Sequence, residues 1–447
     1  MRKRWMIGVM TAMALGMLLA GCSLFEPAAS VVPMSRGVTQ QYILEFARIP
    51  GDLGATVESV GGALVNVLEA IGVAVIEADD AGIQEIGNLP GVVSILPNLA
   101  FDLEVPEAVE LSTESIGDDE TYFGLQWALD AIDAPEAWDA GYTGEGVQVA
   151  ILDTGVDDTH PDLTGNVNVD DSISMVPWDA TLTPVHWHGT HVAGIVAAAD
   201  NQFGVIGVAP NAEIVSVKVF GIDPDDPTQI IGYFDWTLEG IVYAADLGVD
   251  VINMSLGGYV AHWETPANEA NAFINLVRKA VNYAYQKGVV VVCSAGNESW
   301  NGLGDSAVLH VPSDIGNGLC VSATGPVGWA YDPGTDLDLF ASYSNYGPQI
   351  DFAAPGGDAQ LYDVDPFWYY DMVLNCSPGG FTFAAGTSQA APHVAGVAAL
   401  IIEAGGGDMK PSHVLRELRA SADDLGKPGE DIYYGHGRVN AYQAVMP

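Results

Sequence analysis

Basic residues are scarce in this sequence. Its 447 residues include 14 Lys and Arg against 58 Asp and Glu, so the formal net charge is −44 at pH 7. Such a surface repels nucleic acids and anionic lipid headgroups, and it favours basic substrates and divalent cations. Charged residues make up only 16% of the chain, so the imbalance reflects missing Lys and Arg more than dense Asp and Glu. The composition argues against nucleic acid as a partner and says little about the fold.

Cysteine is also rare, with four residues in the whole chain, Cys22, Cys293, Cys320 and Cys376. Cys293 ends the apolar run VVVVC and Cys320 lies in GLCVSA, so both are expected to be buried strand residues that act as small hydrophobes. If Cys22 is modified, an odd number remains, and one disulfide bridge beside one free thiol stays open as an alternative.

The N-terminus has the pattern of an export signal. Arg2, Lys3 and Arg4 precede an apolar stretch at 5–20, which is short for a membrane span. The stretch ends in Leu-Ala-Gly-Cys at Cys22, which resembles the lipobox of bacterial lipoproteins. That resemblance implies a signal peptide at 1–21, a lipidated Cys22 followed by a linker at 22–37, and attachment to the outer face of the cell membrane or to the outer membrane. An ordinary secretory signal is the alternative.

Short β-rich runs alternate with helical patterns from residue 147 onward, as in VQVAIL, HVAGIVAAA, EIVSVKVF, LEGIVYAADLG, VDVINMSL and VVVVCSAG. Near-continuous apolar strands between helices predict a mostly parallel sheet that is covered by helices on both faces, a three-layer α/β fold. Such sheets bind ligands in crevices beyond the carboxyl ends of their strands. Asp153 and Asn297 both follow predicted strands, which places them at that edge.

Three distant segments carry the groups of one reaction. Asp153 lies in ILDTGVDDTHPDL, His188 in HWHGTHVAGI and Ser388 in AAGTSQAAPHVAG. A serine hydroxyl is a poor nucleophile at neutral pH, so acyl transfer needs an imidazole to accept its proton and a carboxylate to hold that imidazole. A lipase or esterase shares this chemistry, but it needs a GxSxG turn and the order Ser, Asp, His, whereas Ser388 lies in GTSQA and comes last.

The residues around these three groups resemble the signatures of subtilisin-like serine proteases, the subtilases of peptidase family S8. The segments NMSLGG, at 253–258, and SAGNE, at 294–298, add to the resemblance and lie between His188 and Ser388. It implies a subtilisin-like endopeptidase in which Asp153 orients, His188 transfers the proton and Ser388 attacks. It also implies that the side-chain amide of Asn297 and the backbone N–H of Ser388 stabilise the oxyanion. One departure is Gln389, which stands where the family commonly has Met and removes no catalytic group.

Each motif by itself has a plainer interpretation. An Asp after an apolar run often caps a turn, and a Gly-Thr-Ser step often opens a helix. His186, His188 and His191 also form an HxHxxH cluster that would suit zinc, but no further ligand cluster completes such a site, and His191 is expected to pack on a helix. Five motifs in the family's order favour the enzyme over its rival, a catalytically idle surface binding protein on the same fold.

Residues 38–104 form a separate compact pattern of short strands and helices upstream of the motifs. The pattern resembles the I9-type inhibitory prodomain, a small ferredoxin-like α+β domain that precedes many subtilases. The resemblance implies a zymogen, with 105–121 as the processing linker and 122–447 as the catalytic domain. The alternative is a small partner-binding domain that the mature protein retains.

Two further features follow from the resemblance to subtilases. Asp162 and Asn201 occupy positions like those of the family's calcium ligands, with carbonyls of the 199–205 loop and a carboxylate from Asp119 or Glu120 as additions. The alternative is that Asp162 caps a turn and Asn201 lies in a loop.

The substrate strand is expected to pair with the backbone of two segments that also line the first specificity pocket. We also expect the protein to be a monomer that cleaves polypeptides. Because these segments contain no acidic residue, broad apolar or aromatic preference is predicted for the residue before the cleaved bond. The pocket segments consist of Ser255, Leu256, Gly257, Ala295 and Gly296. A last expectation is that the aromatic-rich segment at 358–380 is a surface excursion.

Overall fold

The computed structural model describes residues 40–102, 109–110, 120–261, 267–302, 308–315 and 317–446. The predicted signal peptide, the linker at 22–37 and the lipidation site Cys22 lie outside these ranges. Among the residues that are described, no helix combines the length and the apolar character needed to cross a membrane.

The first part of the described chain is a small α+β unit. Its strands form an antiparallel sheet in the order β2, β3, β1, β4, and with two helices in the crossings this is the ferredoxin-like βαββαβ arrangement. Neighbouring residues of β1 face opposite sides, so Leu44 packs against the unit's own helices and Ile43 against the main body. The elements are β1 (Gln40–Phe46), α1 (Leu53–Ser59), β2 (Ala63–Leu68), β3 (Val73–Ala78), α2 (Asp80–Gly87) and β4 (Val92–Pro97).

The main body contains the remaining helices and strands. Its helices are α3 (Trp127–Ala131), α4 (Ala134–Asp139), α5 (His188–Ala197), α6 (Phe234–Leu247), α7 (Ala267–Lys287), α8 (Thr387–Ala404), α9 (Pro411–Ser421) and α10 (Ala441–Val445). Its first strands are β5 (Ala100–Asp102), β6 (Val109–Glu110), β7 (Gln148–Asp153), β8 (Ile173–Ser174), β9 (Glu213–Lys218), β10 (Gly221–Ile222), β11 (Ile230–Tyr233) and β12 (Val251–Met254). The later strands are β13 (Gly258–Ala261), β14 (Val290–Ser294), β15 (Val308–Val311), β16 (Leu319–Thr324), β17 (Phe352–Pro355), β18 (Val373–Ser377) and β19 (Gly380–Ala384).

A seven-stranded parallel sheet forms the centre of the main body, with the strand order β17, β16, β14, β12, β7, β9, β8. Side chains of β7 alternate between the two faces: Val149 and Ile151 join the core that contains α5 and α8, whereas Ala150 and Leu152 join the core that contains α6 and α7. The sheet is therefore covered on both faces, and the predicted three-layer α/β fold is confirmed.

The segment between the small unit and the main body follows the surface of the main body at two places. β5 pairs antiparallel with β11, and β6 pairs antiparallel with β19. β19 ends only a few residues before Ser388. This segment therefore pairs first with β11, the strand before α6, and then with β19, the strand before the predicted nucleophile Ser388.

The helix that contains Ser388 begins at Thr387, and Pro392 lies inside it. One local expectation needs correction. The segment at 358–380 is a surface excursion only in its first part, because residues of β18 such as Leu374 and Cys376 are buried and pair with β19. We did not predict β18 from the sequence, because its short apolar run follows directly on a stretch rich in aromatic residues.

The cysteine expectations have a clear outcome. Cys293 and Cys320 lie in register on the neighbouring strands β14 and β16, and both are buried. Cys376 is buried as well, and all three thiols are free. Burial raises the pKa of the Cys293 thiol above its ordinary value, so the thiolate is disfavoured. These residues act as small hydrophobic side chains in this structure.

Candidate active site

The carboxyl ends of three neighbouring strands carry two predicted catalytic residues and one predicted pocket residue. Asp153 is the last residue of β7, Ser255 follows β12, and Asn297 follows β14. Because β12 pairs with both β7 and β14, the loops that leave these strands lie side by side. The order of the strands therefore places these residues together beyond the carboxyl edge of the sheet, where such folds bind ligands.

Asp153 and His188 are hydrogen-bonded to each other in the interior of the protein. Nδ1 of His188 lies 2.9 Å from Oδ1 and 2.9 Å from Oδ2 of Asp153, and both residues are fully buried. Oδ1 of Asp153 also accepts from the backbone N–H of Thr154 at 2.7 Å. A carboxylate in this position selects the tautomer with hydrogen on Nδ1 and leaves Nε2 as the acceptor.

Thr154 supports the Asp153–His188 pair through hydrogen bonds, although the sequence analysis did not identify it as a site residue. Its hydroxyl donates to the carbonyl of His186 at 3.2 Å and accepts from the backbone N–H of Gly189 at 3.0 Å. These bonds hold the backbone on both sides of His188, at the first residue of α5. The only sequence signal for this role is that Thr154 directly follows Asp153.

The two histidines that flank His188 are neutral at physiological pH. Burial, with the positive charge of His188 as a smaller cause, lowers the pKa of His186 to about 4 and that of His191 to about 3. Nε2 of His191 lies 3.2 Å from the carbonyl of Thr382, and its ring is buried within α5 as expected for a packed histidine.

Ser388 lies in the first turn of α8, next to the loop that follows β12. Its hydroxyl donates to the carbonyl of Ser255 at 3.4 Å, and its own carbonyl accepts from the hydroxyl of Ser255 at 2.7 Å. Nε2 of His188 is buried and has no hydrogen-bond partner among the described residues. The structure thus joins Asp153 to His188 and Ser388 to Ser255, without a direct bond between Ser388 and His188.

Asn297 is fixed by Thr387, the residue before Ser388. Oδ1 of Asn297 accepts from the backbone N–H of Thr387 at 2.9 Å and from its hydroxyl at 2.9 Å. The same hydroxyl accepts from the backbone N–H of Gly296 at 3.0 Å. With Oδ1 held in this way, Nδ2 of Asn297 is directed away from Thr387 and remains available as a donor.

Two donors border the same small space beside Gly386. A Cβ atom built on this glycine would lie 3.6 Å from the backbone nitrogen of Ser388 and 3.7 Å from Nδ2 of Asn297. Oε1 of Gln389 would lie 2.9 Å from the same point. Gln389 is fully buried, and neither polar atom of its amide has a partner among the described residues. The departure from the family pattern therefore places a buried amide, which has no partner among the described residues, next to Ser388 in the chain.

The predicted pocket segments lie beside these groups, and an acidic residue is closer to them than the sequence suggested. A Cβ atom on Gly257 would lie 2.3 Å from the ring of His310, and one on Gly296 would lie 2.5 Å from the hydroxyl of Tyr259. The carboxylate of Glu298 would lie 3.0 Å from that second point and accepts from the amide of Asn345 at 3.0 Å. A side chain at either position would collide with these groups, so both positions require glycine.

The predicted calcium ligands lie together in one loop cluster. Asp162 is fully buried, and its carboxylate accepts from the backbone N–H of Val205 at 2.9 Å and from the amide of Asn201 at 3.2 Å. Glu120, nearly buried, accepts from the backbone N–H of Gln202 at 3.3 Å. Burial, followed by a hydrogen bond to Asp200, raises the pKa of Glu120, while Asp119 lies outside the described residues.

A hard cation such as calcium requires several oxygen ligands. The carboxylates of Asp162 and Glu120 and the side-chain oxygen of Asn201 are ligands of that type, and Asp162 and Asn201 are in contact, so these residue types fit calcium. The nearby group His160, Asp162 and Cys376 does not offer a softer site, because both ring nitrogens of His160 are engaged, with the carbonyl of Gly380 at 2.8 Å and the backbone N–H of Asp162 at 3.1 Å.

Comparison with known proteins agrees with this geometry. Residues 144–437 match the model of peptidase S8, the subtilase family. The chain is 33% identical over 363 residues to a thermophilic serine proteinase from Bacillus sp. (strain AK1), an alignment that spans 81% of this chain and 77% of that relative. It is 35% identical over 331 residues to thermitase from Thermoactinomyces vulgaris, across 73% of this chain and 98% of the relative.

The fold is also found among solved structures. The crystal structure of an epidermin leader peptide processing serine protease from Staphylococcus aureus superimposes with a TM-score of 0.76 at 24% identity, and it covers 92% of this chain and 98% of its own. At that identity the similarity shows the fold. Together with the family match and the identity to named proteinases, it shows that this chain belongs to the subtilase family of serine endopeptidases.

Proposed function

We propose that this subtilase cleaves polypeptides through Asp153, His188 and Ser388, with Asn297 stabilising the oxyanion. The observation that carries the proposal is the buried hydrogen bond between Asp153 and His188, while Nε2 of the imidazole has no partner within the described part of the chain. A buried acceptor of this kind is what a serine hydroxyl needs in order to lose its proton.

The reaction then proceeds in two halves. The hydroxyl of Ser388 turns from the carbonyl of Ser255 to His188, gives its proton to Nε2 and attacks the substrate carbonyl. The imidazolium is stabilised by the carboxylate of Asp153 and passes the proton to the leaving amine. An acyl-enzyme on Ser388 results, and water hydrolyses it with His188 acting again as the base.

Negative charge on the substrate oxygen is met by donors that are already oriented. Nδ2 of Asn297 and the backbone N–H of Ser388 border one space, and the first turn of α8 adds the positive end of its helix dipole. Because Oδ1 of Asn297 is held by two hydrogen bonds, its amide does not have to reorganise during the reaction.

A serine-directed fluorophosphonate probe tests the assignment. We expect the probe to label the wild-type protein and not Ser388→Ala, with His188→Ala labelled far more slowly. Equal labelling of wild type and Ser388→Ala would assign the nucleophile elsewhere. An unlabelled wild type would favour an idle binding protein on this fold.

We also propose that the ferredoxin-like unit is an inhibitory prodomain. Its sheet packs on α6 and α7 through residues such as Ile43 and Val73. Polar contacts surround this apolar interface: Lys279 to Glu45 at 2.8 Å, Asn98 to Asp235 at 2.9 Å and Asn66 to Glu239 at 2.8 Å. The segment after the unit then occupies the free edges of β11 and β19, close to Ser388.

Intact mass after expression tests self-processing. The wild type is expected to lose residues 38–104, whereas Ser388→Ala keeps them covalently attached. Equal masses would count against autocatalytic maturation and favour a retained partner-binding domain. The cleavage is expected within 105–121.

For calcium, we propose Asp162 and Asn201 as ligands, with Glu120 and carbonyls of the 199–205 loop. Bound calcium would supply positive charge that offsets the repulsion between Glu120 and Asp200 and ties the start of the main body to this loop. The support is the raised pKa of both Glu120 and Asp162, since burial leaves their charges poorly solvated.

The substrate preference and the cell location are proposals as well. Because the carboxylate of Glu298 is already paired with Asn345, we expect broad apolar or aromatic preference before the cleaved bond. Cleavage of a peptide library with strict basic preference would contradict this. For an exported, lipid-anchored monomer, the test uses the Ser388→Ala protein, in which the segment that contains Cys22 stays attached to the catalytic domain. Adding Cys22→Ser is expected to release this protein from membranes and to abolish labelling by a palmitate analogue.

A further inference from the structure

One lysine of this acidic protein is completely enclosed. Lys218, the last residue of β9, has no exposed surface, although the chain has only 14 Lys and Arg in total. Removing an ammonium group from water costs several kcal/mol unless the charge is paired and each donor finds an acceptor. A buried lysine next to the site of reaction therefore calls for a physical reason.

The ammonium group of Lys218 is fully partnered by one loop. Nζ donates to Oδ2 of Asp179 at 2.6 Å, to the carbonyl of Thr183 at 2.8 Å and to the carbonyl of Thr181 at 3.4 Å. Oδ1 of Asp179 in turn accepts from the backbone N–H of Thr181 at 3.1 Å and from its hydroxyl at 2.6 Å. Although burial opposes it, hydrogen bonds from Lys218 and Thr181 lower the pKa of Asp179. Residues 179–183 thus surround the ammonium group of Lys218.

This loop leads directly to His188. The backbone N–H of Val185 donates to the carbonyl of Thr154 at 3.0 Å, one residue before the contact of Thr154 with His186. The loop also lies tightly on the residues after β7, because a Cβ atom on Gly155 would be 2.9 Å from the carbonyl of Leu182. The loop held by Lys218 therefore packs directly against the residues that follow Asp153 at the end of β7.

The other end of Lys218 is fixed to Asp153. The two residues are register partners on the adjacent parallel strands β9 and β7, and the backbone N–H of Val219 donates to the carbonyl of Asp153 at 2.8 Å. The side chain of Lys218 therefore links the strand beside Asp153 to the loop that delivers His188. Lys218 is therefore connected through the backbone to both members of the buried pair.

We propose that Lys218 is a positioning residue for peptide hydrolysis, whose ammonium group ties the 179–187 loop to β9 and so sets the placement of His188 against Asp153. The inference rests on the proposed roles of Asp153 and His188. It predicts that loss of the ammonium group lowers kcat, because a displacement of about 1 Å at a reacting group can cost about 100-fold. KM should change little, because the pocket segments at 255–257 and 295–296 are not among the contacts of Lys218.

Lys218→Met removes the charge and the donors but keeps the length of the side chain. We expect kcat, counted per titrated active site at a temperature well below melting, to fall about 10- to 100-fold while KM stays within about two-fold. Lys287→Met is the matched control, because it also breaks a lysine ion pair, 2.7 Å from Asp246, but at the surface. The control is expected to change neither constant.

Asp179→Asn separates geometry from charge and remains informative if Lys218→Met fails to fold. Asparagine can still accept from Nζ and from Thr181, so kcat should stay within about three-fold. In the pH profile of kcat/KM, the midpoint of the acid limb should move down, because a positive charge has lost its partner. Lys218→Met should move that midpoint up, because the carboxylate of Asp179 is then unpaired.

Among the described residues, Asp153 is hydrogen-bonded to His188, and His186 and His191 interact electrostatically with it. Burial lowers the pKa of His186 to about 4 and that of His191 to about 3. A kcat per active site that is unchanged in Lys218→Met overturns the proposal. So does an unshifted acid limb in Asp179→Asn. If instead the wild type fails to react with the fluorophosphonate probe, the proposed function has failed before the role of Lys218 is tested.

Discussion

One of the two hydrogen bonds that hold the amide of Asn297 comes from the hydroxyl of Thr387, and its effect on turnover can be measured. Thr387→Val keeps the shape of the side chain and removes one of the two hydrogen bonds to Oδ1 of Asn297, while the backbone bond at 2.9 Å remains. A hydrogen bond of this kind contributes about 0.5–1.5 kcal/mol net. If that contribution is lost only when the oxyanion forms, kcat falls roughly 2- to 10-fold with KM unchanged.

The same change has a separate effect on stability. The backbone N–H of Gly296 donates to the hydroxyl of Thr387 at 3.0 Å, and valine leaves this buried group without an acceptor. An unpaired buried donor costs about 1–3 kcal/mol, which should appear as a lower free energy of unfolding. Thr387→Ser keeps the hydroxyl and loses only a methyl group, so it is the control in which kcat is retained.

A double-mutant cycle tests whether Thr387 acts through Asn297. Asn297→Ala is expected to lower kcat about 100- to 1,000-fold, a range that was established on a member of this same family. Because Thr387 acts through Asn297, adding Thr387→Val to Asn297→Ala should lower kcat no further. The assay is kcat and KM on a chromogenic peptide with the active sites titrated. Additive losses in the double variant would show that the hydroxyl acts by another route.

Three further predictions concern the same region. Asp153→Asn should lower kcat about 10,000-fold with the fold intact by circular dichroism, since the amide favours the wrong tautomer of His188; a loss under ten-fold would contradict the assignment. Gln389→Met should raise the free energy of unfolding by about 1–3 kcal/mol in denaturant titrations, because an unpaired buried amide is removed; lower stability would contradict this. Chelation should lower Tm more at pH 8 than at pH 5. Burial raises the pKa of Glu120 and Asp162 above the unfolded values, so without calcium stability is lost as pH rises and they ionise; an equal effect at both pH values would contradict the metal site.

The fold was predictable to the level of its layers. Apolar runs such as VQVAIL and VVVVCSAG have the length and composition of strands buried on both faces, and the structure confirms them as β7 and β14. The order of the seven strands was not predictable, because residues of β7 and β12 pair across about a hundred intervening residues. Only packing of the helices against both faces selects that order.

The sequence by itself determined which chemical groups this protein carries, because Asp153, His188 and Ser388 stand in local motifs that can be identified one segment at a time. The tertiary structure alone decided what surrounds them. Lys218 is an ordinary residue within EIVSVKVF, and the sequence left open whether Asp119 or Glu120 would face the 199–205 loop. Their partners at Asp179 and Gln202 are distant in the chain, so their burial and pairing exist only after folding. Motifs record local chemistry, whereas desolvation and hydrogen bonding between distant segments depend on the folded packing.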